Sequence, residues 1–541
     1  MLPNTQKRCR MSDWTAGYVA ELDYTHDFFQ EMTPARMGFS ALSRGHRHGM
    51  AGKGLTYCEL GCGQGFTANL LAAANPHIDF HAMDFIPAHI AGANRLAGDA
   101  DLDNVTFYER SFEDFDQAPG LPQGFDIIAL HGVYSWVSRE NQQRIADFIS
   151  RRLKPGGLVY ISYNTQPGWA ASMPLRRILT DRAALGTGPL EQRIEDALEF
   201  VESLKRAGAG YFASNPAQLT RLSEMKSMSR HYLAHEFFNK DWTPFHFADV
   251  AADLSEAKLT FLGATNPLDH VDDVCLTGAQ IALVQAESDP VRREGLRDIL
   301  LNEQFRADLF VRGRLPYTQR GAVAAWFETP FALARHYGTG PLKLSWRQGE
   351  IPLEAHQYEP VLTLLAAGPA TVRSMLEQGA FGAMEWQEIT RVLTLLTGAG
   401  HIAPCLPLEG LADRVATCRA FNLAVCKTSE ECERLAFLAS PLTGGGVAVD
   451  RMEQLFLLAR SEGRAGPNGW AEFAWQILEP QGQRLEQDGR VLTLPEENLA
   501  VLKARAHAFA ARRLAILDGL GISLLDDAPS VPGAQQAGAA A

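Results

Sequence analysis

Between Leu55 and Tyr163 the apolar positions switch repeatedly between a strand period and a helix period. Thr56–Leu60 is a short apolar run ending at a glycine-rich loop, GCGQG, and predicts a buried strand. The Ala-rich stretch behind that loop predicts a helix to about Ala74. Ile78–Asp84 predicts a second strand, and Pro87 can open the next helix at its first turn. Val105–Tyr108 and Phe125–His131 predict the third and fourth strands. Over Arg139–Leu153, Ile145, Phe148, Ile149 and Leu153 fall on one helical face. Lys154-Pro-Gly-Gly stops that helix, and Leu158–Tyr163 predicts the fifth strand. Such alternation implies an α/β doubly wound sheet with helices on both faces.

After Trp169 the alternation fails. Residues 170–236 carry polar helical patterns without strand signal and read as a helical insertion. A helix and a strand return at 247–265, and Asp308–Arg312 suits a short strand, so residues 240–313 are expected to complete the interrupted sheet. Residues 315–526 read as a separate, mostly helical C-terminal domain with short strands. Its segments EPVLTLLAAGPATVRSMLEQ and EITRVLTLLTGAGHIAP resemble a winged-helix arrangement. Residues 1–45 form an N-terminal segment, 46–169 the core, and 527–541 a disordered tail. Met1–Arg10 reads as a disordered extension, which leaves Met11 as an alternative start.

Composition narrows the function classes. The 541 residues carry 50 Lys and Arg against 63 Asp and Glu, a net charge of −13. That balance argues against a nucleic-acid binder, whose affinity rests on neutralising phosphates. Within the winged-helix-like stretch, Arg373 and Arg391 are the only Lys or Arg between Glu359 and Pro404. No apolar run approaches the roughly 18 residues that span a bilayer, so no membrane insertion is expected. Eight cysteines show neither a CxxC pair nor repeated metal-ligand spacing, which suits reduced thiols, a cytoplasmic protein and no metal.

The sharpest chemical signal is Glu59-Leu-Gly61-Cys62-Gly63-Gln-Gly65, set between a strand and a helix. Closely spaced glycines permit a tight turn and close backbone approach to a ligand. A nicotinamide or flavin fingerprint wants GxGxxG, whereas here the third glycine comes one position early and Phe66 stands where that pattern asks for Gly. Asp84 ends the second strand nineteen residues beyond Gly65, where a carboxylate can accept hydrogen bonds from both ribose hydroxyls. With Glu59 two residues before the first glycine, the loop matches motif I, ExGxGxG, of the class I AdoMet-dependent methyltransferases. That resemblance implies S-adenosyl-L-methionine as cofactor, with Gly61, Gly63 and Gly65 near its methionine end and Glu59 polarising that end. Cys62, Phe85 and His131 join the expected cofactor site. Ser111 and Phe112 follow the third strand where the family holds adenine, with Glu113 as an alternative polar contact.

Methyl transfer from a sulfonium is an in-line displacement that depends on positioning. An aromatic, water-poor pocket favours it, through cation–π contact and through desolvation of an amine nucleophile. The fourth strand ends in His131-Gly-Val-Tyr134-Ser-Trp136-Val, and the fifth in Tyr163-Asn164-Thr-Gln-Pro-Gly-Trp169. Carboxyl ends of neighbouring parallel strands line the ligand crevice, so Tyr134, Trp136, Tyr163, Asn164 and Trp169 are expected to shape the acceptor site. An isolated aromatic is more often core, but both clusters lie just past strand ends. His231 and His235 stand four apart without an HExxH pattern, and His235-Glu236 reads as structural.

ELGCGQG, MDFIPAHIAGA, LHGVYSWVS, KPGGLVYISYNTQPGW and HEFFNKDWTPFHFADVAADL together resemble bacterial methyltransferases with a methyltransferase regulatory domain, a family that includes the rickettsial-type protein-lysine methyltransferases. The resemblance covers roughly 15–315 in motif order, and more loosely the C-terminal region. It implies a regulatory segment at 215–300 and an insertion suited to forming a homodimer. It also implies an N-terminal stretch, Tyr18, Tyr24, Phe28, Phe29 and Pro34, that folds over the active site. The expected function is therefore an AdoMet-dependent methyltransferase. A protein lysine amine leads as acceptor, ahead of a small molecule or cell-envelope glycan. A non-catalytic AdoMet-binding regulatory or scaffolding protein is the alternative from another class, with a nicotinamide oxidoreductase behind it.

Overall fold

A computed structural model describes residues 26–47, 54–336, 342–347 and 349–525. The expectations for Tyr18, Tyr24, the chain start and the 527–541 tail lie outside the described residues. Helix α1 (Pro34–Ser43) precedes strand β1 (Leu55–Leu60), helix α2 (Phe66–Ala74), β2 (Ile78–Asp84), α3 (Pro87–Asp99), β3 (Val105–Glu109), β4 (Phe125–Leu130), α4 (Arg139–Arg152) and β5 (Leu153–Asn164). Two later strands, β6 (Leu259–Ala264) and β7 (Phe305–Arg312), complete one seven-stranded sheet in the order β3-β2-β1-β4-β5-β7-β6.

Strands β1 to β5 pair in parallel, whereas β7 runs antiparallel to both β5 and β6. The strand order reverses at β1 and β4, which opens the ligand crevice of such sheets at their carboxyl ends. Strand β5 begins earlier than its sequence suggests. Leu153 pairs with Phe125 and Leu158 with Ile127, so Lys154-Pro-Gly-Gly bulges out within the strand instead of forming a loop before it. Ser138 caps α4 by accepting a hydrogen bond from the Asn141 N–H, and Arg151 and Arg152 stand in its last turn, as a helix dipole favours.

The inserted helices Met173–Leu185, Leu190–Arg206, Ala217–Ser227 and Arg230–Phe237 pack around their own core, which includes Leu179, Ile194, Leu198, Leu222 and Leu233. In the C-terminal region, Pro330–Leu333, Ala370–Thr371 and Ile402–Pro404 form a three-stranded antiparallel sheet flanked by Ala355–Ala366 and Trp386–Gly398, the winged-helix-like pattern.

The C-terminal region is not a loose appendage. All nine residues of α2 are buried, because one side rests on the sheet and the other meets the helix Leu411–Thr428 and the hairpin Phe437–Ala448. The Thr417 hydroxyl donates to the Ala73 carbonyl at 2.6 Å, and the Asn75 amide donates to the Gly444 carbonyl at 2.8 Å. A Cβ on Gly446 would stand 2.8 Å from Phe28 and 3.0 Å from Leu70. The alanines of α2 are what such close neighbours require, and Leu70 fills the space between them. Leu70→Ala should therefore cost about 2–5 kcal/mol. Urea unfolding followed by far-UV and near-UV circular dichroism should show the two signals shifting together.

Candidate active site

The loop joining β1 to α2 is held in a left-handed turn. Gly61, Gly63 and Gly65 have φ of 73°, 52° and 67°, a region that side-chain-bearing residues avoid. The Gly61 and Cys62 N–H groups both donate to the Met83 carbonyl at 2.9 Å, and the Gly63 N–H donates to Asp84 Oδ2 at 3.0 Å. Asp84 Oδ1 accepts from the Ile86 N–H at 2.9 Å. One carboxylate thus ties the glycine turn to the turn that follows β2.

Beside this turn lies a cavity of about 190 Å³. Glu59, Gly61, Cys62, Gly63, Asp84, Phe85, Ser111, Phe112 and His131 all line it, and Trp136 does too. Gly65 stands apart. It caps α2, and a Cβ there would meet Ala93 Cβ at 2.5 Å and Phe107 at 2.8 Å, so this glycine serves helix–strand packing rather than ligand approach. Glu113 turns outward to an ion pair with Arg144 at 2.9 Å.

Apart from Trp136, the aromatics expected at the ends of β4 and β5 do not line the cavity. The Tyr134 hydroxyl donates to Asp253 Oδ2 at 2.8 Å, in a group that Arg139 completes. The Tyr163 hydroxyl donates to buried Asp308 at 2.7 Å. Trp169 belongs to the core of the inserted helices: its indole N–H donates to Asn164 Oδ1 at 3.2 Å, and the Arg221 guanidinium stands 4.1 Å from its ring. Of the five residues expected to shape the acceptor site, Trp136 alone lines the cavity. Tyr134 and Tyr163 bind carboxylates far along the chain, and Asn164 and Trp169 bind each other.

Other groups take their place. Asp27 and Phe29 approach from the N-terminal side, and Phe29 stacks on His131 with ring centroids 3.6 Å apart. The inserted helix Arg230–Phe237 contributes His235 and Glu236, and Asn239 and Asp241 follow from the next loop. His235-Glu236 thus lines the cavity rather than serving only structure. Its presence inside the quoted motif HEFFNKDW is the one sequence signal that pointed here.

The electrostatics are lopsided. Asp27, Glu59, Asp84, Glu236 and Asp241 face a single arginine, Arg110. Burial, reinforced by Asp84, pushes the Glu59 carboxyl up to about 8, and among the described residues its Oε2 has no hydrogen-bond partner. Burial raises Glu236 to about 7 and lowers His131 to about 3, so the imidazole is neutral. His131 Nδ1 shares a 2.7 Å hydrogen bond with the Tyr160 hydroxyl.

Two family models match this chain: a methyltransferase domain over residues 51–199 and a predicted methyltransferase regulatory domain over residues 229–312. The Synechocystis protein named "Uncharacterized protein sll1526" is 40% identical over 510 residues, which is 94% of this chain and all of the relative. The chain belongs to the methyltransferases that carry this regulatory domain. Such enzymes take S-adenosylmethionine as methyl donor. The methyltransferase is also 28% identical over 264 residues to the Rickettsia prowazekii protein named "Uncharacterized protein RP789", 48% of this chain and 46% of that one. In overall fold it resembles PKMT2 from Rickettsia typhi, solved in complex with AdoHcy, at a TM-score of 0.65 and 18% identity over 90% of this chain and 98% of that one. The matched regulatory stretch begins later than the expected 215 and extends to the last sheet strand.

Glu59 provides a direct test of this electrostatic picture. A carboxyl whose folded pKa is raised favours the protonated folded state, so stability should fall as pH rises from about 4.5 towards 8. Glu59→Gln should remove that loss: the variant and the parent match below pH 4.5, and the variant is more stable above pH 8 by an amount on the order of a few kcal/mol. Thermal melts of the ligand-free protein across that range check it.

Proposed function

We propose that this methyltransferase is a cytoplasmic enzyme that methylates the side-chain amine of protein lysines. The observation that carries the reading is the carboxylate-rich donor cavity, with unpartnered Glu59 Oε2 inside it. Such a room attracts cations, and both the donor and a lysine ammonium are cationic.

The residues present fit the cofactor. Glu59 Oε2 is a buried acceptor awaiting a donor, as the ammonium of the methionine moiety would supply. Gly61 and Gly63 line the cavity beside it; Asp84 would hold the ribose hydroxyls, and Phe85, Ser111 and Phe112 would hold the adenine. When bound, S-adenosylmethionine supplies an electrophilic methyl carbon on a sulfonium.

The chain's own groups handle the acceptor. An amine has to shed a proton before its lone pair is free, and a carboxyl near pH 7 suits that task under neutral conditions. Glu236, at about 7 and lining the same cavity, is assigned this role. Phe29 and Trp136 add aromatic surface to the cavity lining, which would favour a positive charge there. The motif resemblance to rickettsial-type protein-lysine methyltransferases supports the same acceptor.

Tritiated S-adenosylmethionine, incubated with the enzyme and either a cell proteome or a small-molecule extract, is expected to label methyl-lysines in protein hydrolysates. Label confined to the small-molecule fraction would overturn the lysine assignment. Glu236→Gln should lower turnover about tenfold to a hundredfold or more with little change in cofactor affinity. It should also abolish the loss of rate that the parent shows as the pH falls below about 7 and this carboxylate becomes protonated.

A further inference from the structure

A second cavity, of about 400 Å³, has His131 in its wall, as the donor cavity does. It stands over the region where β5 ends, β7 begins and β6 ends, on the carboxyl edge of the sheet. None of its groups other than His131 has a part in the donor site described above.

Seven carboxylates and five arginines line this chamber. At its centre the Arg306 guanidinium meets three carboxylates: Asp308 at 2.8 Å, Asp298 at 2.6 Å and Glu294 at 2.9 Å. A single guanidinium thus stands among three carboxyls. The Asp298 side chain is 4% exposed, yet among the described residues its Oδ2 has no hydrogen-bond partner. Buried polar atoms are rarely left unpaired, and this one marks a place where a ligand's donor belongs. Burial raises the Asp298 carboxyl to about 7, despite Arg306. Phe305 and Leu301 supply apolar wall beside these polar atoms.

We propose that this chamber is the acceptor-capture site: it receives an alkylammonium side chain, with the cationic head at Asp298 and the hydrocarbon stem along Phe305, before the nitrogen passes His131 into the donor cavity. The pairing of an unsatisfied buried carboxylate with an apolar wall suits a lysyl chain, which is an ammonium on four methylenes. The proposal rests on the amine-acceptor reading above.

The test uses the full chain without cofactor and ligand-observed NMR. Nα-acetyl-lysine amide is expected to bind saturably, and Nα-acetyl-norleucine amide, which lacks the charge, is not. Asp298→Asn should weaken lysine-amide binding at least tenfold. Ala264→Phe, which puts a ring into the chamber beside its cross-strand neighbour Asp308 and leaves Asp298 itself in place, should abolish it. Both variants should keep the parent's affinity for S-adenosylmethionine, which also checks folding, and both should raise KM for a lysine peptide more than they lower kcat. If Asp298→Asn fails to fold, Ala264→Phe carries the test alone. No binding of the lysine amide to the parent, or unchanged binding in a folded variant, overturns the capture site. Methyl label on lysine with KM unchanged in both variants refutes the chamber alone, whereas label only on non-amine acceptors refutes the amine reading itself.

Discussion

Helix α2 leaves no face to water, and much of the architecture follows from that. Its first turn carries the glycine loop, so whatever fixes the helix fixes the donor site. The sheet fixes one side and the C-terminal region the other, with Thr417 and Asn75 fastening its last turn. Small side chains let both neighbours come close, and dispersion contacts at that distance hold the helix rigidly. The 200-odd residues that methyl transfer does not itself require are thus built into the wall behind the donor site.

Negative charge is the second organising constraint. Carboxylates gather on both sides of His131, and each cavity contains one whose oxygen is buried without a partner, Glu59 in the first and Asp298 in the second. A protein spends stability to keep such groups, since desolvated carboxyls resist ionisation. Ligands that bring positive charge relieve that strain. The net charge of −13 looked like a general surface property; part of it is concentrated inside, where it selects what enters.

Much of the core was legible in the sequence because its signals are local. A strand, a glycine turn and an Ala-rich helix occupy some twenty consecutive residues, and Asp84 lies one strand further on. The strands that complete the sheet were legible from their period alone. Side chains whose partners are remote were not. Tyr163 looked like a site residue because it follows a strand, yet Asp308 binds it from 145 positions away. Glu236 looked like an ordinary helix residue, and only folding of the insertion over the loop brings it to the cavity. Gly65 shows a subtler limit: three glycines in one motif look alike, but Gly61 and Gly63 line the cavity while Gly65 only makes room for Ala93 and Phe107.

The neutral ring of His131 lines both cavities without screening one from the other. Fields pass through an uncharged imidazole, so a cation on one side feels the carboxylates, and any cation, on the other. Two positive charges held across that ring repel, and each lowers the other's occupancy. The repulsion eases once the charge on the donor side has been discharged. A cation held in one room is thus sensed in the other across the shared wall.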